Sequence, residues 1–335
     1  MKYPENLDAW HAQVREDIID PEHEITDPHH HLWVGRLGYD YELAALWADT
    51  QSGHKVTRTV FIECGSAYDR ASPEPFAPVA ETTYVEAIAR AAARDPAKAQ
   101  VAGIVAHANL RLPPETLNQV LDAHERASPR FRGIRHAGAW DPEREKIMFQ
   151  GQPIPQLYLD PDFQRGVAVL GERAIPYDTW HFHPQNGEFL ALAKACPGTT
   201  IVLDHFGGPM GTVRFTGQRE ARFDDWKREM AAIADCPNVL AKLGGLAMPV
   251  NGFGWDGRAT PPTSDELVAA QSHYYHHMID IFGPERCMFE SNFPVDKLSV
   301  GYVVYWNAMK KLAARYDAAT QQALFKSTAD RVYRL

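Results

Sequence analysis

Short apolar runs rich in β-branched residues alternate along the chain with longer stretches of helical, amphipathic periodicity. The short runs predict strands at 25–31, 57–64, 99–106, 131–135, 175–182, 200–204, 239–243 and 287–291. The longer stretches predict helices at 79–94, 115–126, 163–173, 187–195, 223–234, 264–282, 303–316 and 318–326. Such an alternation is typical of βα units arranged around a parallel sheet.

Eight strand–helix units predict an α/β fold, a single (β/α)8 TIM barrel over residues 25–335. Residues 1–24 are expected to form an N-terminal extension packed on the barrel. A doubly wound sheet is the alternative, but it needs fewer strands and usually has a glycine-rich nucleotide turn. Because no G-x-G-x-x-G follows a predicted strand and no G-x-x-x-x-G-K-[ST] occurs, the sequence argues against nucleotide binding.

The composition is that of a globular protein, with 45% hydrophobic and 23% charged residues. An excess of 43 Asp and Glu over 34 Lys and Arg gives a net charge of −9, which argues against nucleic acid or an anionic membrane as partner. No apolar stretch approaches the roughly 18–20 residues of a membrane span. Four cysteines without a C-x-x-C pair predict reduced thiols, and so a cytoplasmic protein.

Histidines stand at the ends of three predicted strands. The first strand ends in DPHHH, where strand alternation places His29 and His31 on one face, so that two imidazoles could chelate a divalent metal. The fifth strand ends in WHFH, in which His181 and His183 again share a face, and the sixth runs into LDHFGGP, which contains His205. Because the carboxyl ends of barrel strands meet at one rim, we expect these histidines to form one site.

Charged and aromatic side chains at other strand ends indicate what the site binds. Arg135 ends the fourth strand, and its guanidinium matches the geometry of a carboxylate. Lys242 interrupts the apolar seventh strand, so it either points into the pocket or pairs with Glu63 or Asp204 inside the barrel. Glu63 has the same two interpretations, substrate binding or an internal ion pair. Trp180 is a candidate wall for a ring-shaped substrate.

Several segments together resemble the amidohydrolase superfamily. They are DPHHHLW, FRGIRH, LDHFGGP, NVLAKLGGL and ESNFPVD, with the closing ADRVYRL. Within the superfamily they are similar to the amidohydrolase 2 branch, which contains sugar-lactone and 2-pyrone-4,6-dicarboxylate lactonases. The resemblance spans roughly residues 25–335 and implies a TIM barrel of the amidohydrolase type with a hydrolytic site at its C-terminal rim.

The resemblance also implies a role for the strand-end histidines. His29 and His31 correspond to the pair that holds a divalent metal, zinc or manganese, in metal-dependent members. His183 matches the strand-five histidine and would be the third ligand, with His181 as its rival. His205 matches the strand-six histidine of the catalytic group. Metal-free catalysis is the alternative, because the pyrone dicarboxylate lactonases of this branch work without a metal.

The eighth strand departs from the family at the general base. Relatives carry an aspartate where the segment ESNFPVD aligns Asn292, and an amide cannot take a proton at neutral pH. Asp296, Glu290 or a histidine could replace the base, with Asp296 the first candidate because it lies just past the strand. Alternatively, Asn292 orients water or substrate, or the chain is a catalytically altered relative. Asp296 could instead only form a turn or pair with Lys297 or Arg286.

The resemblance therefore implies a hydrolase that opens a small lactone, either a sugar-acid lactone or an intermediate of aromatic catabolism. Arg135 and Lys242 would hold a carboxylate or carbonyl of this small, carboxylate-bearing or cyclic-ester substrate. A metal-dependent decarboxylase of the same superfamily and a non-catalytic ligand-binding barrel are the alternatives. The apolar C-terminal helices could pack on the barrel or on a second subunit, which leaves a homo-oligomer open.

Overall fold

The computed structural model describes residues 6–147 and 154–335. Its strands are β1 (Glu24–His30), β2 (Trp33–Arg36), β3 (Tyr39–Tyr41), β4 (Lys55–Ile62), β5 (Gln100–Ala106), β6 (Phe131–Arg135), β7 (Tyr177–Thr179), β8 (Ile201–Leu203), β9 (Val239–Leu243) and β10 (Cys287–Phe289). Strands β2 and β3 form an antiparallel hairpin. The other eight form one parallel sheet in chain order, which confirms the predicted barrel.

Helices lie between the strands and close the chain. They are α1 (Leu7–His11), α2 (Leu43–Thr50), α3 (Val79–Ala92), α4 (Pro114–Ala127), α5 (Pro161–Glu172), α6 (Asn186–Ala195), α7 (Arg219–Ala234), α8 (Ser264–Phe282), α9 (Tyr302–Ala313), α10 (Ala318–Gln322) and α11 (Thr328–Tyr333), with a π-helical turn at Ala323–Ser327. The sequence did not predict α1, α2 or the β2–β3 hairpin, because elements this short carry too few periods of their pattern. Within the described residues, no helix is long and apolar enough to cross a bilayer.

The seam between the first and last barrel strands is closed by side chains as well as by backbone. The backbone N–H of His31 donates to the carbonyl oxygen of Phe293 at 2.8 Å. The fully buried Asp27 carboxylate accepts from the N–H of Ser291 at 2.9 Å and from the hydroxyl of Tyr302 at 3.1 Å. Burial raises the pKa of Asp27 to about 6 despite these donors. Asp27 of the DPHHH motif therefore connects the first barrel strand to the residues that follow the last one, just before the strand-end histidines.

The lower end of the barrel is filled by the end of the chain. Inward-facing apolar residues of five strands form a small cluster with α11, comprising Val60, Ile62, Val105, Val202, Leu240, Met288, Ala329, Val332 and Tyr333. The N-terminal extension, described from residue 6, packs on the outside: Trp10 is buried, and its indole N–H lies 3.1 Å from the carbonyl oxygen of Arg258. The C-terminal helix thus closes one end of the barrel and leaves the other end for a site.

Helix α5 packs closely on Leu110, in the loop between β5 and α4, and this contact gives a testable prediction. A Cβ at Gly166 would come within 1.9 Å of the carbonyl oxygen of Leu110, and a backbone atom cannot move aside as a flexible side chain can. We expect Gly166→Ala to lower the free energy of unfolding by about 2–3 kcal/mol. The matched control is Gly187→Ala in α6, where nothing lies within 4 Å of the added Cβ.

The control should be neutral or stabilise by up to about 1 kcal/mol, because alanine restricts the unfolded chain. Urea denaturation of both variants measures the difference. Equal stability of Gly166→Ala and Gly187→Ala would contradict the close approach of α5 to Leu110.

Candidate active site

A cavity of about 450 Å³ opens at the carboxyl ends of the barrel strands. Its described lining includes His31, Trp33, Arg36, Glu63, Tyr68, His107, Arg111, Arg135, His136, Trp180, His205, Met248 and Asn292. The residues predicted from the sequence that reach this wall are His31, Glu63, Arg135, Trp180, His205 and Asn292. Because barrels carry their active sites on this face, the cavity is the candidate active site.

One buried carboxylate joins two of the strand-end histidines beneath the cavity. The two carboxylate oxygens of Glu290, which directly follows β10, lie 2.6 Å from Nδ1 of His29 and 2.7 Å from Nδ1 of His205. Burial raises the pKa of Glu290 to about 8, against the opposing effect of Lys242. A proton on Nδ1 of His205 satisfies its hydrogen bond to Oε1 of Glu290 and leaves the Nε2 lone pair of His205 available. The His29 contact is different, because Oε2 of Glu290 has no hydrogen-bond partner among the described residues and Nδ1 of His29 also lies 3.4 Å from the Lys242 ammonium.

Lys242 lies in the barrel interior rather than on the cavity wall. Its ammonium is 2.7 Å from Oδ2 of Asp178 and 3.5 Å from Oδ1 of Asp204. The hydroxyl of Tyr333 donates to the same Asp178 oxygen at 2.6 Å. Burial alone would lower the pKa of Lys242, but the neighbouring carboxylates outweigh burial and raise it. Of the two interpretations offered by the sequence, the internal ion pair is the one that the contacts fit, with Asp178 as the nearer partner.

Arg135 is fixed from behind by Glu63. The guanidinium donates through Nε to Oε1 of Glu63 at 2.8 Å and through Nη2 to the Glu63 carbonyl oxygen. Its Nη1 lies 3.5 Å from Nε2 of His29 and 4.0 Å from Oδ2 of Asp204. The other oxygen of Glu63 accepts from the hydroxyl of Tyr68 at 3.3 Å. Glu63 thus holds the cation at the cavity wall.

The floor of the site carries more buried acid than base. The carboxylates of Glu63, Asp178, Asp204 and Glu290 face only the cations of Arg135 and Lys242 among the described contacts. With all six ionised and the histidines neutral, two negative charges stay uncompensated, and a buried unpaired charge is costly. Accordingly, burial raises the pKa of Asp204 to about 7 even though Lys242 opposes the shift. Two protons or one divalent cation would balance the floor.

The residues present fit a divalent metal. His29, Asp204 and His205 each offer one ligand atom, and these three atoms lie within 4.8 Å of one another. Both carboxylate oxygens of Asp204 are buried without a hydrogen-bond donor. Two imidazoles and a carboxylate suit zinc or manganese, and the hydrogen bond between Glu290 and Nδ1 of His205 is the kind of outer contact that metal-binding histidines make. Of the ligands predicted from the sequence, this group contains only His29.

His183 does not join the group. Its Nδ1 accepts from the backbone N–H of Met210 at 3.1 Å, and its ring packs on Phe215 with centroids 4.5 Å apart. The alternative, His181, is fully buried and bonds through Nε2 to Oδ1 of Asn186 at 3.0 Å. Strand β7 ends at Thr179, short of the predicted strand end, so strand alternation does not fix where these two rings point. The contacts therefore place the third candidate ligand at Asp204 instead of His183.

His31 lies on the wall beside the group, with its ring centroid 5.0 Å from that of His29. Its Nδ1 is 2.8 Å from the carbonyl oxygen of Ile62. A carbonyl oxygen only accepts, so Nδ1 carries the proton and Nε2 of the neutral ring carries the lone pair. Burial, helped by Arg135, holds the pKa of His31 well below its ordinary value.

Asn292 lines the cavity and Asp296 lies behind it. The Nδ2 of Asn292 donates to Oδ1 of Asp296 at 2.9 Å, and the backbone N–H of Ala247 donates to the other Asp296 oxygen at 3.3 Å. Asp296 is fully buried, and burial raises its pKa well above the usual value. Asp296, the first candidate for the base, is therefore not among the described residues of the cavity wall. It fixes the amide so that Oδ1 of Asn292 is left as an acceptor.

Two glycine pairs make room for this arrangement. The segment from His205 through Gly208 has positive φ at every residue, 55°, 59°, 66° and 59°. A Cβ on Gly208 would meet the carbonyl oxygen of His181 at 2.1 Å, and one on Gly245 would meet Nδ1 of His205 at 2.3 Å. Non-glycine residues in this region cost of order 1 kcal/mol each and often mark functional sites. Gly245 is therefore a steric requirement for seating His205, and Gly208 is one for the close approach of its loop to the backbone of His181.

Several residues of the site were not identified from the sequence. His107 directly follows β5 and His136 directly follows β6, the same strand-end position that identified the other histidines. Asp204 was considered only as a partner for Lys242, although it directly follows β8 as well. The position at a strand end could have found all three. Tyr68 and Arg36 come from connecting segments, where no periodic pattern indicates the direction of a side chain.

Comparisons with known proteins agree with this fold. The amidohydrolase family model matches residues 26–335. The uncharacterized protein y4mH of Sinorhizobium fredii is 28% identical over 332 residues, which cover 93% of this chain and 98% of that protein. The L-fucono-1,5-lactonase of Burkholderia multivorans is 28% identical over 240 residues, 71% of this chain and 73% of the enzyme.

Among solved structures, an amidohydrolase from Burkholderia multivorans with bound zinc superposes with a TM-score of 0.71 at 24% identity, covering 93% of this chain and 100% of that one. That likeness extends over the whole barrel, and so does the family match. The chain belongs to the amidohydrolase family.

Proposed function

We propose that the protein hydrolyses a small lactone by attack of water on the ring carbonyl in the rim cavity. The proposal rests on three groups that line the same cavity. His31 Nε2 and Asn292 Oδ1 are acceptors held in place by their neighbours, and the Arg135 guanidinium is held by Glu63. Acyl transfer needs these parts: acceptors for the protons of water and a cation for the developing oxyanion. Similarity to an L-fucono-1,5-lactonase supports a lactone as the substrate.

Proton transfer is assigned to His31. Its Nδ1–H is held by the carbonyl oxygen of Ile62, so the lone pair at Nε2 is the atom that accepts the proton of the attacking water. Asn292, whose Nδ2 is committed to Asp296, accepts the second water hydrogen at Oδ1 and orients the oxygen. A histidine thus takes the role of the missing strand-eight aspartate, and Asn292 has an orienting role.

Charge stabilisation is assigned to Arg135. The water oxygen forms a bond to the carbonyl carbon, and the carbonyl oxygen becomes an oxyanion beside the guanidinium that Glu63 holds in place. Collapse of this adduct breaks the bond to the ring oxygen, which leaves as an alkoxide and takes the proton from Nε2 of His31. The product is the open hydroxy acid. Because Arg135 is positioned before the substrate arrives, no reorganisation is needed during the reaction.

A divalent metal fits this scheme without replacing it. Bound at His29, Asp204 and His205, it would supply Lewis-acid polarisation of the same carbonyl. The chain itself contributes Glu290, which is hydrogen-bonded to Nδ1 of His205 and lies 2.6 Å from Nδ1 of His29, and Lys242, which lies 3.5 Å from Asp204. The zinc in the structurally similar amidohydrolase supports testing for a metal here.

Lactone turnover is the direct test of the function. L-fucono-1,5-lactone and 2-pyrone-4,6-dicarboxylate should each be tried in a pH-stat, where hydrolysis consumes base. We expect base consumption above the uncatalysed rate with one of them, and His31→Asn should lower kcat about 10²- to 10⁴-fold. This variant keeps an amide near the position of Nδ1 for the Ile62 contact but lacks Nε2, so its melting temperature should stay close to that of the wild type.

Two other outcomes would contradict lactone hydrolysis. Release of CO2 from an aromatic carboxylic acid, without base consumption by any lactone, would establish a decarboxylase. A shift in melting temperature with these compounds, without either reaction, would indicate a non-catalytic binding barrel.

Restoring the family's aspartate should harm this protein. Asn292→Asp would remove the donor to Asp296 and place two carboxylates within hydrogen-bond distance in a buried site. We expect a loss of about 2–4 kcal/mol in unfolding free energy and at least a tenfold lower kcat/KM. The double variant Asn292→Asp with Asp296→Asn exchanges donor and acceptor, so it should recover most of the stability. Higher activity in the single variant would instead identify position 292 as a base position.

Metal binding separates the two candidate ligand sets. Elemental analysis of protein purified without chelators should find roughly one zinc or manganese per chain. Asp204→Asn should lower this occupancy, whereas His183→Asn should leave it unchanged, because His183 lies outside the group. The reverse result would restore His183 as a ligand. A metal-free wild type that still turns over lactone would remove the metal from the scheme and leave hydrolysis intact.

A further inference from the structure

His107 and His136 form a second imidazole pair on the cavity wall, outside the reaction steps assigned above. Both line the cavity, and their rings meet edge to face with centroids 5.0 Å apart. Tyr68, on the same wall, stacks against His107 with centroids 6.1 Å apart. Each ring is partly exposed, in contrast to the buried histidines of the floor. A substrate in the cavity would therefore meet this pair directly.

The backbone fixes the two rings in opposite tautomers. Nδ1 of His107 lies 3.0 Å from the carbonyl oxygen of Arg135, so it must carry the proton, and Nε2 of the neutral ring carries a lone pair. Nδ1 of His136 instead accepts from the backbone N–H of Leu110 at 3.2 Å. The proton of neutral His136 is therefore on Nε2. Nε2 of His107 is thus an acceptor, Nε2–H of His136 is a donor, and neither atom is used by these backbone contacts.

Burial is the main reason that His136 stays neutral. Burial, together with His107 and Arg111, holds the pKa of His136 well below its ordinary value. Arg111 itself is committed elsewhere, since its Nε donates to Asp160 at 2.6 Å. Arg36, the other arginine at the cavity mouth, donates to the carbonyl oxygen of Cys64. This part of the wall therefore has less free positive charge than its two arginines suggest.

We propose that His107 and His136 recognise the hydroxyl groups of a polyhydroxylated sugar lactone. Nε2 of His107 accepts from one hydroxyl, and Nε2–H of His136 donates to a neighbouring hydroxyl or to the ring oxygen. A hydroxyl both donates and accepts, so a ring with adjacent hydroxyls satisfies both atoms. A carboxylate only accepts, so it would satisfy His136 and face the lone pair of His107. The inference rests on the proposed lactonase function and selects the sugar lactone over the pyrone dicarboxylate.

The tautomers can be measured without any substrate. Long-range proton–nitrogen correlation NMR on protein with isotope-labelled histidine distinguishes Nδ1–H from Nε2–H rings. His107→Asn and His136→Asn each remove one set of signals and so assign them. We expect His107 as the Nδ1–H tautomer and His136 as the Nε2–H tautomer. The same tautomer at both positions would overturn the proposal.

Recognition is tested with two lactones that differ in hydroxylation. Both asparagine variants keep an amide near the Nδ1 position for the backbone contact and delete Nε2. Each should raise KM for L-fucono-1,5-lactone about five- to tenfold, the effect of one lost hydrogen bond, and leave KM for unsubstituted δ-valerolactone unchanged. His276→Asn is the matched control, because His276 lies in α8, bonds to the hydroxyl of Tyr316 and is outside the described cavity lining. Equal effects on both lactones, or none, would overturn the proposal.

Binding separates this inference from the function on which it rests. If no lactone is hydrolysed, calorimetric titration with L-fuconate, the open sugar acid, still reports on the pair. Weaker fuconate binding in both variants would support recognition while the lactonase function fails. Hydrolysis of 2-pyrone-4,6-dicarboxylate but not of L-fucono-1,5-lactone would support the lactonase function and overturn the recognition pair.

Discussion

Charge balance in the barrel interior is the constraint on which the rest of the site depends. Glu290 reaches one histidine from the first strand and one from the sixth, while Lys242 lies between Asp178 on the fifth strand and Asp204 at the end of the sixth. Each of these groups would be costly to bury alone, so each needs its partners from other strands. The C-terminal helix takes part as well, because the hydroxyl of Tyr333 donates to Asp178. Closing the barrel and assembling the floor of the site are therefore one event.

The wall above this floor follows a second regularity. Each side chain with an assigned role is bound from behind by one partner and keeps one atom for the cavity: His31 by the Ile62 carbonyl, Asn292 by Asp296 and Arg135 by Glu63. Partners of this kind fix tautomer, amide orientation and guanidinium plane before a substrate arrives. That is the preorganisation which makes electrostatic stabilisation effective in a site with little water. The proposed recognition pair follows the same rule, with backbone atoms as the partners.

Prediction from the sequence succeeded where the signal was local. The predicted bounds of the barrel strands agree with the structure to within a few residues, apart from the fifth strand. Short β-branched runs are a local signal for a strand, so they need no information from the rest of the chain. The predicted fifth strand is too long, because β7 ends at Thr179, so strand alternation does not determine which way His181 and His183 point. Asp296 was preferred as base because it lies just past a strand, yet its oxygens are used by Asn292 and Ala247. The position of a residue along the chain does not show which of its atoms are already hydrogen-bonded in the folded protein.

The sequence by itself determined the barrel, the rim on which chemistry-bearing residues gather, and the absence of the usual strand-eight aspartate. The first two properties depend on residue type and on spacing within single strands, whereas the missing aspartate is recognised only through the resemblance to the family. Only the tertiary structure decided that Asp204 completes the candidate metal group with His29 and His205, and that Lys242 supports the floor instead of the wall. It also decided the tautomers of His31, His107 and His136. These properties depend on contacts between residues dozens to hundreds of positions apart, and such contacts exist only once the eight strands are closed around their shared interior.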